Sequence, residues 1–185
     1  MTTFYSKLHR LGEPNAESQH SKTDAPFRAS VAVLLRPDDH ICMIRRAVKE
    51  SDYWSGHMGF PGGREEASDA SLLHTSIRET EEEIGVVLVP EQCCGRLTDL
   101  QHPKLHVAAF VFDVPTPLTF VLEESEVAEV HWLPLDAFQD PMHRSTRPAQ
   151  YNGKAYQAPV VNVGTADVWG ISLRFIEDLL HRLIT

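Results

Sequence analysis

Three glutamates, Glu79, Glu82 and Glu83, have the spacing and the chemistry of a divalent-metal site. At about 100° of rotation per residue, they fall on one side of a helix. Side chains three or four positions apart have Cβ atoms roughly 5 to 6 Å apart, so these carboxylates repel one another unless a cation lies between them. Hard ions such as Mg²⁺ choose oxygen ligands of this kind. The spacing therefore indicates a place where a divalent cation can bind.

The helix that carries these glutamates is predicted to have an apolar face and a defined end. Leu73, Ile77, Thr80 and Ile84 fall within an arc of roughly 60°, about half a turn from the acidic side chains. Gly85 follows directly, where a helix C-cap belongs. We therefore expect an amphipathic helix that buries one side and presents carboxylates on the other.

A glutamate-rich helical face is most often simply solvated, and the acidic spacing alone favours that interpretation. The segment Phe60-Pro61-Gly62-Gly63 ahead of the helix changes the balance. A double glycine lets the backbone approach a ligand closely, and its carbonyls are further oxygen ligands. The glycine turn and the acidic face together favour a metal site over a solvated surface.

The segment from Gly63 to Val86 resembles the Nudix box of the Nudix hydrolase superfamily. The family pattern is Gly, five residues, Glu, seven residues, Arg-Glu, an apolar residue, any residue, Glu-Glu, any residue, Gly and an apolar residue. The second half matches from Arg78 onward, with Thr80 in the first apolar position. The first half departs from the pattern, because Asp69 replaces the first Glu and eight residues separate it from Arg78. We expect Asp69 to act as a helix N-cap or as a partner for Arg78.

The resemblance implies a diphosphatase that depends on Mg²⁺ or Mn²⁺. Glu79, Glu82 and Glu83 are expected to bind the metal together with the Gly62 carbonyl, while Arg78 braces a glutamate. The ion would neutralise the charge that develops as water attacks a diphosphate, and it would orient or deprotonate that water.

A second acidic segment, Glu123 to Glu129, resembles the loop from which members of the family often add one more carboxylate. We expect Glu126 to be that metal ligand, and Glu123 and Glu124 to be exposed. The family uses different positions for the general base, so Glu82 and Glu126 are both candidates for that catalytic role.

Features around the box are similar to the coenzyme A diphosphatase-like branch of the family. They are the extra residue in the box, the Phe60-Pro61-Gly62-Gly63 segment, Gly56, and Val168-Trp169-Gly170 ahead of the last helix. This similarity implies cleavage of coenzyme A or its esters to 3',5'-ADP and phosphopantetheine.

One position departs from that branch, which expects an arginine four residues before Gly56, where this chain has Asp52. A carboxylate there would repel the 3'-phosphate of coenzyme A, unless Arg45, Arg46 or Lys49 compensates. ADP-ribose or a nucleotide sugar is therefore the alternative substrate. A Nudix-fold module that binds a nucleotide without turnover is a second alternative, which degenerate box glutamates would favour; here they are intact.

Length and composition fit one globular domain: 185 residues, 42% hydrophobic and 23% charged. We predict an arm over residues 1–25, either mobile or docked, and a Nudix domain over residues 26–185. The formal net charge of −9 argues against a broad basic surface for nucleic acid. With no apolar run long enough for a bilayer and no signal-peptide pattern, we expect a cytoplasmic protein that binds a small nucleotide, with a homodimer left open.

Apolar and β-branched runs predict the elements that must position the acidic helix. They are a hairpin of 29–35 and 41–44, strands over 92–100, 105–114 and 129–133, a hairpin turn at Asn152-Gly153, and a helix over 171–183. This order suits an α/β fold, specifically the α/β/α sandwich with a mixed β-sheet that the Nudix resemblance also implies. His57, His102 and His106 have no zinc-ligand spacing, and we expect structural or surface roles for them.

Overall fold

The computed structural model describes residues 3–12, 27–50, 54–102, 104–151 and 153–185. Asp52 and most of the predicted arm lie outside these ranges. The elements in chain order are β1 (Phe27–Leu35), β2 (His40–Arg46), β3 (Met58–Gly59), β4 (Gly62–Arg64), α1 (Leu72–Ile84), β5 (Cys93–Arg96), β6 (Leu100–His102), β7 (Leu105–Asp113), β8 (Val127–Pro134), β9 (Arg144–Tyr151), β10 (Lys154–Val163), β11 (Ala166–Trp169) and α2 (Gly170–Ile184). Among the described helices, none is long and apolar enough to cross a bilayer.

Eight strands form one mixed sheet, with the order β3-β2-β1-β7-β5 along its main path. Three further strands join its members: β4 pairs with β1, β6 with β7, and β8 with β2. β1 and β7 run parallel, from Phe27 opposite Leu105 to Leu35 opposite Asp113, and the other pairs are antiparallel. The predicted hairpin is confirmed as β1 and β2.

Helix α1 covers one face of this sheet and α2 covers the other. Along β1, Ala32 and Leu34 pack with α1, whereas Val33 and Leu35 pack with α2. Burial on both faces explains why this strand is a continuous apolar run rather than an alternating one. The predicted α/β/α sandwich with a mixed sheet is confirmed.

Strands β9, β10 and β11 form a separate antiparallel sheet, most of which the sequence patterns did not predict. Tyr151 pairs with Lys154, so the predicted hairpin is present, although Asn152 itself lies outside the described residues. β9 is largely exposed and contains Pro148, which lacks a ladder donor. Its composition therefore does not resemble that of a strand.

The predicted strand over 92–100 is wrong in its extent. Pro90–Gln92 is a 3-10 turn, β5 ends at Arg96, and β6 begins at Leu100. The interruption is stabilised by a bidentate pair in which Arg96 donates to Asp99 at 2.9 and 2.6 Å. Local hydrophobicity could not reveal this break, because a side-chain ion pair produces it.

The described part of the predicted arm packs on the sheet. Tyr5–Leu11 is a 3-10 helix whose Leu8 and Leu11 are buried in the core on the α2 side. Asp39, in the β1–β2 turn, accepts the N–H groups of Phe4 and Tyr5 at 3.0 and 2.7 Å. Residues 13–26 lie outside the described ranges, so the boundary after residue 25 stays a prediction.

Candidate metal and diphosphate site

Helix α1 begins and ends at capping residues that hold the acidic face in place. Ser71 is the N-cap, with its Oγ accepting the His74 N–H at 3.4 Å. Asp69 is therefore not the cap, which was one of its two predicted roles, and it pairs instead with Arg78. Gly85 is the C-cap, as predicted, and its φ of 70° is a left-handed conformation that glycine adopts readily.

The Gly62-Gly63 pair lies directly against the acidic face of α1. Gly62 donates its N–H to Glu83 Oε2 at 2.8 Å. Its backbone has a φ of 148°, and a Cβ there would lie 2.3 Å from the Ser30 carbonyl oxygen. A Cβ on Gly63 would lie 2.4 Å from the Glu79 carboxylate. A Cβ at Gly62 would meet backbone atoms of β1, whereas a Cβ at Gly63 would require the Glu79 carboxylate to move.

Gly63→Ala is expected to lower turnover by about 100-fold, because the added methyl group must displace the Glu79 carboxylate by about an ångström. Mn²⁺ affinity, measured by calorimetry, should fall with it. Gly59→Ala is the matched control for folding and metal affinity, since a Cβ at Gly59 meets nothing within 4 Å. Unchanged Mn²⁺ affinity in Gly63→Ala would show that Glu79 is not a metal ligand.

Arg78 connects the carboxylates of the acidic face. Its Nε and Nη2 donate to the two oxygens of Asp69, each at 3.0 Å. Its Nη1 lies 2.8 Å from Glu82 and 3.0 Å from Glu79, and Nη2 also donates to the Arg64 carbonyl at 3.0 Å. A bidentate pair fixes the plane of the guanidinium. The contacts fit the bracing role expected of Arg78.

Asp69 anchors Arg78 from a buried position. Its side chain is only 4% exposed, and it accepts hydrogen bonds from Thr75 Oγ1 and the Glu66 N–H, both at 2.9 Å. Arg78 is the main reason that the pKa of Asp69 lies well below its usual range. The departure from the family pattern, a shorter acid with one extra residue, thus still delivers an ionised carboxylate to Arg78.

Glu83 is a carboxylate buried with little opposing charge. It is 2% exposed, and burial is the main reason that its pKa rises to about 7. The Gly62 N–H and Arg46, whose Nη1 is 3.7 Å from Glu83 Oε1, oppose that rise. The neighbouring charges of Glu79 and Glu126 add to it. Such an environment favours a bound cation.

Glu79, like Glu83, lies among other carboxylates. Burial is the largest cause of its raised pKa, and Glu82 and Glu126 add to the rise, while Arg78 opposes it. Glu82 lies on the solvent side, with 58% of its side chain exposed. The three predicted ligands of α1 therefore range from a buried carboxylate to an exposed one along a single helical face.

The predicted loop ligand Glu126 is held close to the end of α1 by backbone hydrogen bonds. The Glu123 N–H donates to the Glu83 carbonyl at 3.0 Å, and the Ala47 N–H donates to the Glu126 carbonyl at 2.8 Å. Glu126 is half-buried, and its charge raises the pKa of Glu83. Glu123 and Glu124 are exposed, as expected.

This donor set fits a hard divalent cation. Within the described ranges, no three His, Cys, Asp or Glu side chains already form a ready-made ligand cluster. Glu82 contacts Arg78, and Glu83 accepts the Gly62 N–H. However, the donors are all oxygen atoms. The charges of Glu82 and Glu126 raise the pKa of Glu79, and those of Glu79 and Glu126 raise the pKa of Glu83. An ion of charge 2+ would relieve that repulsion, and carboxylate oxygens are the ligands that such an ion prefers.

A cleft of about 500 Å³ opens beside the glycine pair. Gly62 and Gly63 form part of its lining, so the cleft reaches the two glycines that lie against Glu83 and Glu79. Its other notable lining residues are the cations Arg46, Arg64 and Lys104 and the aromatic residues Phe27, Trp54 and Trp169. A cleft with cations, aromatic rings and adjoining carboxylates suits an anionic ligand that carries a planar ring and binds together with a metal.

Sequence reasoning did not identify Arg64 or Phe27 as cleft residues. Trp54 is 42% exposed and lines the cleft. Arg46 was considered only as a cation that could compensate for Asp52. These residues come from segments far apart in the chain, so no local spacing signals that they meet.

The histidines have structural roles where the structure describes their side chains. His57 packs between Trp54 and Trp169, with ring centroids 6.1 and 5.0 Å away. His106 is buried, and its Nε2 lies 2.6 Å from Asp99. These contacts fit the structural roles expected of His57 and His106.

Residues 26–152 match the NUDIX domain family, and the chain belongs to this family of hydrolases. An uncharacterized protein of Schizosaccharomyces pombe is 37% identical over 138 residues, which cover 60% of this chain and 42% of that protein. The chain thus spans less than half the length of this relative. A Yersinia pestis protein named as an uncharacterized Nudix hydrolase, NudL, is 25% identical over 186 residues, covering 94% of this chain and 89% of its own.

Solved structures share the fold. The MutT protein of Methanosarcina mazei has a TM-score of 0.50 and 25% identity, over 63% of this chain and 83% of that one. A MutT/nudix family protein from Enterococcus faecalis has a TM-score of 0.58 and 16% identity, over 98% of this chain and 68% of that one. The similarity confirms the Nudix fold and superfamily, while membership of the coenzyme A branch stays a prediction.

Proposed function

We propose that the protein is a diphosphatase dependent on Mg²⁺ or Mn²⁺. It cleaves the phosphoanhydride of a nucleoside diphosphate linked to another group, with coenzyme A or its esters as the leading candidate. The observation that carries this proposal is the Glu83 carboxylate, 2% exposed and hydrogen-bonded to Gly62 beside an aromatic and cationic cleft. Nudix hydrolases generally use a divalent metal, and the glutamates that would bind it are intact.

The metal ligands in this proposal are Glu79, Glu82 and Glu83, together with the Gly62 carbonyl and Glu126. When bound, the ion neutralises charge on the diphosphate oxygens and activates the attacking water. The carboxylates supply oxygen donors at graded depth, from the buried Glu83 to the exposed Glu82.

The remaining roles belong to residues around that cluster. Arg78 holds Glu79 and Glu82 in position through contacts of 3.0 and 2.8 Å. Arg46 lines the cleft and lies close to Glu83, where it suits a phosphate oxygen of the substrate. Either Glu82 or Glu126 takes the proton from the attacking water, since both have solvent access.

Coenzyme A leads among the substrates because the extended box, the Phe60-Pro61-Gly62-Gly63 segment and Trp169 match that branch of the family. Trp169 lines the cleft. Asp52 departs from the branch and lies outside the described residues. Of the cations that could compensate, Arg46 lines the cleft, whereas Arg45 donates to Glu129 at 3.0 Å. ADP-ribose and nucleotide sugars are the alternative substrates.

A substrate panel tests the proposal. Coenzyme A, ADP-ribose, nucleotide sugars, dinucleoside polyphosphates and nucleoside triphosphates are each incubated with Mg²⁺, with Mn²⁺ or with EDTA. We expect release of 3',5'-ADP from coenzyme A only with metal. Turnover of ADP-ribose instead would favour the alternative substrate. Binding without turnover across the whole panel would contradict the hydrolase proposal and favour a nucleotide-binding module.

A further inference from the structure

One wall of the cleft combines an aromatic ring with two cations, Phe27, Arg64 and Lys104, here called the basic wall. Arg64 pairs with Ala29 across β4 and β1, so its side chain lies on the same sheet face as that of Phe27, two residues before Ala29. The Arg64 guanidinium carbon is 4.6 Å from the centroid of the Phe27 ring. Lys104 directly precedes Leu105, the strand partner of Phe27. All three side chains line the same cleft and so belong to one surface.

Most arginines in the described ranges form an ion pair with a carboxylate, and Arg64 does not. Arg28, Arg96 and Arg147, for example, each lie within 3.3 Å of a carboxylate. Across the ranges that the structure describes, no carboxylate forms an ion pair with Arg64, and its guanidinium lies over the Phe27 ring. In a chain of net charge −9, such a cation facing a cleft favours an anionic ligand.

Stacking on Phe27 prepares the Arg64 guanidinium for phosphate. A ring below the guanidinium restrains its plane, while its N–H groups point outward from the edge, where they can donate to two phosphate oxygens at once. Because side chains alternate along a strand, Arg64 points to the opposite face of β4 from its neighbour Gly63, which touches Glu79. A phosphate at Arg64 is thus distinct from one bound at the acidic face.

We propose that the basic wall binds a second phosphate group of the substrate, one that is not part of the diphosphate being cleaved. A nucleoside that carries a 3'-phosphate as well as a 5'-diphosphate has that group, whereas ADP-ribose and common nucleotide sugars do not. The inference rests on the proposed diphosphatase function and narrows its substrate class. The coenzyme A branch expects an arginine where this chain has Asp52, and the basic wall supplies positive charge in its place.

Two probes that differ by one phosphate test the inference: adenosine 3',5'-bisphosphate and adenosine 5'-monophosphate. Neither contains a phosphoanhydride bond, so binding is measured without turnover, by calorimetry on the full chain in Mg²⁺. We expect the bisphosphate to bind at least about tenfold more tightly, because charge-assisted hydrogen bonds contribute on the order of 1.5 to 3 kcal/mol. Arg64→Ala should reduce this preference to about twofold, with Arg64→Lys between them.

Arg174→Ala is the matched control, since it removes the same charge from an exposed position on α2 that does not line the cleft. It should keep the wild-type preference. Equal affinity for the two probes, no binding of either, or a preference that survives Arg64→Ala and Arg64→Lys would overturn the inference. If Arg64→Ala loses the preference but the wild-type protein hydrolyses nothing on the panel, the phosphate site at the basic wall is supported and the hydrolase proposal is rejected. If the wild-type protein hydrolyses a panel substrate but shows no preference for the bisphosphate, the hydrolase proposal is supported and the phosphate site is rejected.

Discussion

Glu83→Gln is expected to abolish metal-dependent hydrolysis, with kcat lower by about three orders of magnitude, because a metal ion supplies several kcal/mol of charge stabilisation. The amide keeps the size of the side chain, and its oxygen can still accept the Gly62 N–H. What it removes is the negative charge that would hold the cation. Turnover of the panel's best substrate and Mn²⁺ affinity by calorimetry are the measurements.

Glu81→Gln is the matched control for this substitution. Glu81 lies on the same helix and has the same chemistry, but it is exposed and is not one of the proposed ligands. It should keep both Mn²⁺ affinity and turnover. Retained turnover in Glu83→Gln, or an equal loss in Glu81→Gln, would remove the basis for the metal assignment.

In metal-free protein, Glu83→Gln is expected to stabilise the fold at neutral and higher pH. Burial raises the pKa of Glu83 from its ordinary 4.5 to about 7. Between those values the folded state holds a proton that the unfolded state has lost, so wild-type stability falls as pH rises through this window. Gln does not titrate, so the stability of the variant does not fall in this pH window. Urea unfolding in EDTA at pH 5 and pH 7.5 should show the gap widening with pH.

Arg78→Ala is expected to lower the free energy of unfolding by about 3 kcal/mol and to lower turnover as well. The substitution leaves the Asp69 carboxylate, 4% exposed, without its main partner, and removing one member of a buried pair costs roughly 3 to 5 kcal/mol. It also releases Glu79 and Glu82 from their positions. Urea unfolding at pH 7 measures the first effect and steady-state kinetics the second.

Two comparisons separate this effect from general loss of charge. Arg28→Ala breaks a pair with Glu65 in which 46% and 21% of the side chains are exposed, and it should cost less than about 1 kcal/mol. The pKa of Asp69 is lowered in the fold, so its stabilising contribution is present at neutral pH and is lost as pH falls through the folded pKa. The Arg78→Ala deficit should therefore shrink in strong acid. A deficit of the same size as that of Arg28→Ala would contradict the buried anchor.

The acidic helix was predictable because its signals are local. Helical periodicity places Glu79, Glu82 and Glu83 within one turn of each other, and Gly85 ends the helix wherever the chain goes next. The strongly apolar runs of β1 and β7 were equally clear, since both faces of those strands are buried. Such features need no knowledge of distant residues.

Other features of the site depend on contacts between distant segments. The spacing put Glu83 among solvent-facing acids, but the packed structure buries it beside Gly62, 21 positions away, and that burial raises its pKa. The sequence left Asp69 as either a helix N-cap or a partner for Arg78. The structure distinguishes them, because Ser71 caps the helix and Asp69 pairs with Arg78, nine residues away. The exposed, proline-containing β9 carried no strand signal, and pairing with β10 alone makes it a strand.

The sequence by itself determined which groups are available for chemistry: the glutamates at helical spacing, the glycine pair and the arginine beside them. Tertiary structure alone decided which carboxylate is buried and which cations line the cleft, since β1, β2, β4 and β11 contribute to it from across the chain. Spacing specifies neighbours along one element, whereas burial and the pairing of distant charges depend on how the elements pack. For that reason the candidate metal ligands could be proposed from the sequence alone, and the basic wall could not.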